Sequence, residues 1–403
     1  MLKFLTVFFL FFTIFCKGQE SEIVSKLATI SQQLNWKESD FYELEPILQN
    51  KKIVALGEAT HGTKEFEELY SNLIRFSIEK LGFTAIAFEA DFMSSRAIND
   101  YVTLKVDSID YRKASGFPMT KERRSMFEWM REWNEGLDQG KRQAEIFGLE
   151  VRNLRRAMEC ITSYCSKAGI NASAIQPFLT VDISKTDKPV LEEGVAFLEE
   201  LLATKDSLFA EIERHLVTMA LQNINHQHRT STAFKKNKYL GIRDRSMFEN
   251  TSWVLENTSH ENLMIWAHSA HIAKSDIFGA PPTGEYLYDR YKDAYLAIGS
   301  TFGSGYVNLF VKKDGQYKFG KKYFPLPTGD FYEYYFNKIK PSPFFVDLQK
   351  ASTDELLNKF FNQKRKFRFI GGTADAKDNE KVKLSQLFDV VIYVPTSTLI
   401  FEN

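Results

Sequence analysis

Cysteine is scarce: three residues in a chain of 403 are too few for a disulfide framework. No charge surplus exists either, since 52 Lys+Arg balance 52 Asp+Glu, and this excludes the basic profile of a nucleic-acid binder. Several catalytic signatures are missing. No serine sits in a G-x-S-x-G elbow, because Ser300 and Ser304 in GSTFGSG have the wrong glycine spacing, so ordinary α/β-hydrolase serine chemistry is disfavoured. There is no H-E-x-x-H. Gly315–Lys322 (GQYKFGKK) comes near a phosphate-binding loop, but Lys322 replaces the required Ser or Thr. There is no internal repeat and no second long apolar run. What remains is an ordinary globular composition, 44% hydrophobic and 26% charged, which excludes disorder. Aromatics at 14%, with 35 Phe, supply a large core, and the length calls for two domains or one large domain with an insertion.

The one long apolar run is at the amino end. Lys3 precedes Phe4–Phe15, which holds only apolar side chains and two threonines. A membrane-spanning helix needs roughly 20 such residues, so the run fits the hydrophobic region of a secretory signal peptide. Small residues Cys16 and Gly18 stand at the −3 and −1 positions of a cleavage site before Gln19. The expectation is a signal peptide over 1–18 and an exported chain free of the membrane after cleavage. A lipoprotein anchored at Cys16 is the rival, disfavoured by the bulk of Phe15 before the cysteine. Export permits a disulfide, but Cys160 and Cys165 lie five apart in a helical stretch and point to different faces, so two buried free thiols are expected.

Short apolar runs alternate with helical patterns. Lys52–Leu56, Phe83–Phe88, Ala144–Leu149, Asn262–Ala267, Ala294–Gly299, Phe367–Ile370 and Val390–Val394 read as strands. Thr63–Leu81 has apolar residues at helical spacing, acids in its first turns, Lys80 at its end and Gly82 as a stop. Thr120–Gly136 is helical as well. Asn308–Phe319 alternates around Asp314-Gly315 as a hairpin. Between Arg152 and His260 the patterns are helical, with His226 and His228 placed on a solvated loop. The fold class is therefore α/β: a mainly parallel sheet flanked by helices over 19–403, with a helical subdomain inserted at about 152–260.

Chemistry-bearing residues follow the carboxyl ends of these strands. Gly57-Glu58-Ala59-Thr60-His61-Gly62 follows the first, and Glu89 and Asp91 the second. Glu150 and Arg152 follow AEIFGL, and His268 and His271 follow NLMIWA. In a parallel sheet these ends share the edge where ligands bind. Each has a bland reading too: Glu58 as a helix cap, Glu89 as a buried paired carboxylate, the histidine pair as satisfied structure. Two mechanisms suit the set. In one, His61 is a general base oriented by Glu58 or Glu89, and His268 and His271 donate to an oxyanion or leaving alkoxide. In the other, His61, His268, His271 and a glutamate hold a metal that activates water.

The blocks GEATHGTKEF, AFEAD, FGLEVRN, RDRSMFEN and WAHSAHIAK, in this order, resemble the erythromycin esterase family. The resemblance runs from about Asp40 to Leu287 and continues weakly to the end. It implies hydrolysis of a macrolide lactone by activated water, with no covalent intermediate, no metal and no cofactor. On it, His61 matches the general base, Glu58 its partner, Glu89 the glutamate after the second strand, and His268 and His271 the later site histidines. Where characterised macrolide esterases carry an arginine, nine residues after the motif histidine, this chain has Tyr70, which brings no fixed charge. Arg75 is the candidate substitute. Tyr70, Arg75, Glu150 and Arg152 are the expected substrate-binding residues. The expected protein is a monomeric esterase of a small-molecule ester or lactone. A metal-dependent hydrolase and an exported, non-catalytic ligand-binding protein are the alternatives.

Overall fold

The computed structural model describes residues 18–36, 41–112, 119–180, 186–203, 210–231, 236–374 and 380–401. The segment expected to be a signal peptide, apart from Gly18, lies outside the described residues, and so does Cys16. From the amino end, the elements that matter begin with β1 (Gln32–Gln33), β2 (Ile53–Glu58) and helix α1 (Lys64–Leu81). Next come β3 (Ala85–Asp91), α2 (Phe92–Val102), α3 (Lys121–Glu135) and β4 (Glu145–Glu150). Helices α4 (Leu154–Lys167), α5 (Lys188–Ala203), α6 (Glu211–Ser231) and α7 (Lys236–Asn257) follow. The chain continues with β5 (Leu263–His268), the short α8 (Ser269–Ile272), β6 (Tyr295–Lys313) and β7 (Gln316–Phe324). Last are β8 (Phe344–Asp347), β9 (Arg365–Phe367), β10 (Glu380–Val382) and β11 (Val390–Ser397).

These elements form two compact units. The first takes residues 1–76, 267–277 and 293–403; the second takes 77–266 and 278–292. In the first, β6 lies between β2 and β11, parallel to both. β8 adds antiparallel to β11, β1 to β8, and β7 to β6. In the second, β3 lies between β4 and β5, parallel to both. The α/β class, with mainly parallel pairing and flanking helices, thus matches the sequence reading.

Local rules account for the elements. Every residue of β2 is buried, as its unbroken apolar run requires of a strand covered on both faces. Thr120 caps α3 by accepting from Arg123 N, and Asn153 caps α4 by accepting from Arg156 N. From 152 to 260 the described residues contain helices and no strand. Their own core, including Met158, Ile161, Leu198 and Leu216, also takes in Phe92 and Met93 of α2. Burying each such side chain contributes roughly 1.5–3 kcal/mol, so the insertion packs on the second unit's layer through a genuine interior.

Four expectations need correction. Phe367–Ile370 is not a strand of the main layer: β9 ends at Phe367 and pairs antiparallel with β10, with one isolated bridge from Lys366 to Phe331. Phe369 and Ile370 are buried as irregular chain, so their apolarity signals burial rather than pairing. Ala294–Gly299 and the first arm of the hairpin are one continuous strand, β6. His226 and His228 belong to helix α6, not to a loop. Both cysteines are free on one helix, as expected, but only Cys165 is buried; Cys160 is half-buried.

Candidate active site

The loop from Gly57 to Thr63 joins β2 to α1 and is locked on all sides within the first unit. The Gly57 carbonyl accepts from two buried hydroxyls, Tyr70 at 2.7 Å and Ser300 at 2.8 Å. A Cβ on Gly57 would lie 2.8 Å from Ser269 Cα, and one on Gly62 would lie 1.7 Å from the Asn308 oxygen, so both positions require glycine by contact alone. Asn308 N donates to Gly62 O at 3.1 Å, and Ile370 N and Gly371 N donate to Ala59 O. The loop is a clamped element.

Inside that clamp, His61 Nδ1 lies 2.7 Å from Glu58 Oε1. Glu58 is 4% exposed at its side chain while His61 is 37% exposed, so a buried carboxylate supports an imidazole that solvent reaches. With the Nδ1 proton donated to the carboxylate, Nε2 is the basic nitrogen. The His268 ring lies 5.5 Å from that of His61 and 6.3 Å from that of His271, centroid to centroid. His268 Nδ1 accepts from Ala270 N, which leaves Nε2 to donate to Ala59 O, each at 3.3 Å. Glycine backbone lines the cluster: ideal Cβ positions on Gly371 and Gly372 fall 3.7 Å from the His268 ring and 3.3 Å from the His61 ring. Among the described residues no group of three or more His, Cys, Asp or Glu side chains is arranged to hold a metal ion.

The remaining residues separate. Tyr70 is fully buried beneath the loop, where burial pushes its phenol well above the usual range and keeps it a neutral donor. Arg75 is half-buried on α1. Glu89, Glu150 and Arg152 gather in the second unit around a residue that sequence reasoning did not single out, Arg243 of α7. Arg243 binds Glu150 in a bidentate pair, Nε and Nη2 each at 2.8 Å, and reaches Glu89 at 2.7 Å. Arg152 closes the ring of charge, bonding Glu150 through Nε and Glu89 at 3.3 Å. Burial raises the Glu150 carboxyl, but the charges of Arg243 and Arg152 more than reverse that, to about 2. Asp91 is structural: one oxygen caps α2 at Ser94 N, and the other accepts from Arg152 N and Asn153 N. Arg243 was visible only as the first residue of the RDRSMFEN block; an arginine on a helix carries no signal of burial by itself.

The erythromycin esterase family model matches residues 78–397. The chain belongs to the erythromycin esterase family. The matched segment begins after the Gly57–Thr63 loop, so this match rests on sequence outside that motif. An erythromycin esterase type II from Escherichia coli is 26% identical over 321 residues, covering 70% of this chain and 76% of its own. A crystal structure of a Bacillus cereus protein superposes with a TM-score of 0.78 at 20% identity, over 95% of this chain and 99% of that one. The erythromycin esterase EreC, a mutant captured in its open conformation, gives a TM-score of 0.67 at 16% identity, over 90% and 95% of the two chains. The protein is therefore a hydrolase of this family with a small-molecule substrate.

Proposed function

We propose that this family member is an exported, monomeric carboxylic ester hydrolase that cleaves a lactone or related ester with water activated by His61. The observation that carries the reading is the Glu58–His61 contact at 2.7 Å, a buried carboxylate beneath a reachable imidazole. In the mechanism, His61 Nε2 takes a proton from water as the hydroxide attacks the ester carbonyl, and Glu58 stabilises the imidazolium that forms. Of the two carboxylates considered for that role, Glu58 holds it, since Glu89 is committed to Arg243 and Arg152. His268 spends both ring nitrogens on backbone and positions the loop at Ala59; His271 is assigned as the donor to the oxyanion or the departing alkoxide. Export rests on the amino-terminal apolar run Phe4–Phe15 and the small residues Cys16 and Gly18 that follow it.

Macrolides are the substrate class the family suggests, which would make the protein part of a response to antibiotic. A different ester is the second reading, favoured by Tyr70: its hydroxyl is turned onto the Gly57 carbonyl instead of offering a charge to a ligand. The test is mass spectrometry of a panel of macrolides and simple lactones after incubation with the protein, beside His61→Ala. Gain of one water on a macrolide, lost in the variant, supports the first reading. Gain on another ester alone supports the second. Binding without turnover throughout sinks the hydrolytic mechanism and favours a ligand-binding protein, and activity that follows added metal instead of His61 favours metal-activated water.

A further inference from the structure

One face of the β6–β7 hairpin carries aromatic rings that stay half-exposed, with the buried Asn308 between the two ring pairs. In its antiparallel register Tyr306 stands opposite Tyr323, Phe310 opposite Phe319, and Lys312 opposite Tyr317, so all six side chains share a face. The first pair of rings meets edge-on at 5.1 Å and the second at 5.7 Å, and Phe401 extends the row 5.9 Å from Phe319. Tyr306, Phe310, Tyr317, Phe319 and Tyr323 are each 47–52% exposed. On the other face of β6, Val307 and Leu309 are buried. The hairpin thus has its apolar anchor already, and the exposed rings are additional to it.

Charge is concentrated on the same segment. Residues 306–324 hold five lysines and one aspartate in a chain whose formal net charge is zero. Lys312, Lys313, Lys318 and Lys321 are exposed, and of these Lys312 and Lys321 share the face of the rings. Lysine on the outer strand of a sheet also guards against edge-to-edge pairing, and that explains the lysines. It does not explain five half-exposed aromatic rings in one row, which cost solubility unless something apolar meets them. Three tyrosines with a polar tip and two wholly apolar phenylalanines, beside Lys312 and Lys321, suit the boundary between water and an anionic bilayer, where the rings enter the headgroup layer and each cation gains from the surface potential.

We infer that this hairpin face docks the enzyme on an anionic lipid surface. The inference stands independently of the substrate and of the His61 mechanism. The test is flotation of the chain, as isolated from its producing cell, with phosphatidylglycerol–phosphatidylcholine vesicles and with phosphatidylcholine alone. Binding to the anionic vesicles that weakens with added salt is expected. Lys312→Glu with Lys321→Glu, which leaves every ring in place, lowers binding at least about 25-fold, from roughly fivefold per lysine. Phe310→Ser with Phe319→Ser lowers it about tenfold or more. Circular dichroism and melting temperature check that both variants fold. Absence of binding by the parent chain overturns the proposal, as does unchanged binding by both folded variants. So does a self-associated parent that the ring variant makes monomeric without any vesicle binding, which would assign the face to a second copy.

Discussion

The clearest quantitative test lies in the Arg243 cluster, through Glu150→Gln. Glu150 is 13% exposed at its side chain and accepts both forks of Arg243, while Arg152 adds a further charge. Its carboxyl falls from the ordinary 4.5 to about 2 in the folded chain. At about 1.4 kcal/mol per factor of ten in proton affinity, this corresponds to about 3 kcal/mol of stability at neutral pH. Between those two values the unfolded chain binds a proton that the folded chain refuses, so acidification favours unfolding there. The contribution is complete above 4.5 and is lost as the pH falls through about 2. At pH ~3.5 about 2 kcal/mol remains. Glutamine keeps the shape and one acceptor but not the charge. The variant is therefore less stable than the parent by about 3 kcal/mol at pH ~7, and the gap narrows to about 2 kcal/mol at pH ~3.5. Urea denaturation followed by tryptophan fluorescence reads this directly, because Trp129, Trp133, Trp253 and Trp266, four of the five tryptophans, belong to the second unit. A gap that does not change with pH, or no gap at all, would refute the electrostatic account. Arg243→Met, which leaves Glu89 and Glu150 only the more exposed Arg152 as a shared cation, should cost more, about 3–5 kcal/mol.

Further outcomes follow from both units. Glu58→Gln lowers turnover of whichever ester the panel identifies by a factor on the order of 10²–10⁴ with an unchanged circular dichroism spectrum, and full activity would remove Glu58 from the mechanism. Gly62→Ala drives a Cβ to 1.7 Å from the Asn308 oxygen, and the loop must move; a loss of at least about 3 kcal/mol in denaturant titration is expected. Tyr70→Phe removes one of the two hydroxyls on the Gly57 carbonyl and costs about 1 kcal/mol, seen by calorimetry as a melting shift of a few degrees. Adding Ser300→Ala should cost more than the sum of the single changes, since the buried carbonyl then loses both partners. In the folded chain Cys160 reacts slowly with a thiol reagent and Cys165 not at all, while both react in urea; equal reactivity when folded would contradict the burial of Cys165.

Much of this was legible because its causes are local. The strand runs at Ile53, Ala85 and Glu145 and the helical spacing of α1 are set by periodicity, and glycines and caps mark their ends. The grouping of Glu58 with His61 follows from their three-residue spacing on one loop. Long-range facts were not legible. β6 reads as two pieces because Ser300–Gly305 breaks the apolar pattern, yet pairing with β11 carries the strand straight through. β8 offers four residues, too few for a period. The clamp on Gly62 depends on Asn308, and the glycine backbone around the histidines depends on Gly371 and Gly372, both far off in sequence. Arg243 is fixed by carboxylates from two strands that no single window contains. Fold class rests on local chemistry that repeats; the exact lining of a site rests on contacts that occur once.

The first unit is assembled from three separate stretches of chain, and its imidazoles come from two of them. His61 leaves the ribosome 207 residues ahead of His268, and the glycines that flank both rings come a further hundred or so residues later. At 5–20 residues per second, about 10–40 s separates the two histidines. A chain interrupted before β6 carries the Glu58–His61 motif without the strand that pairs with β2 or the backbone that clamps the loop. Synthesis therefore completes the histidine cluster last. A growing chain carries the Glu58–His61 motif long before it has the assembled cluster.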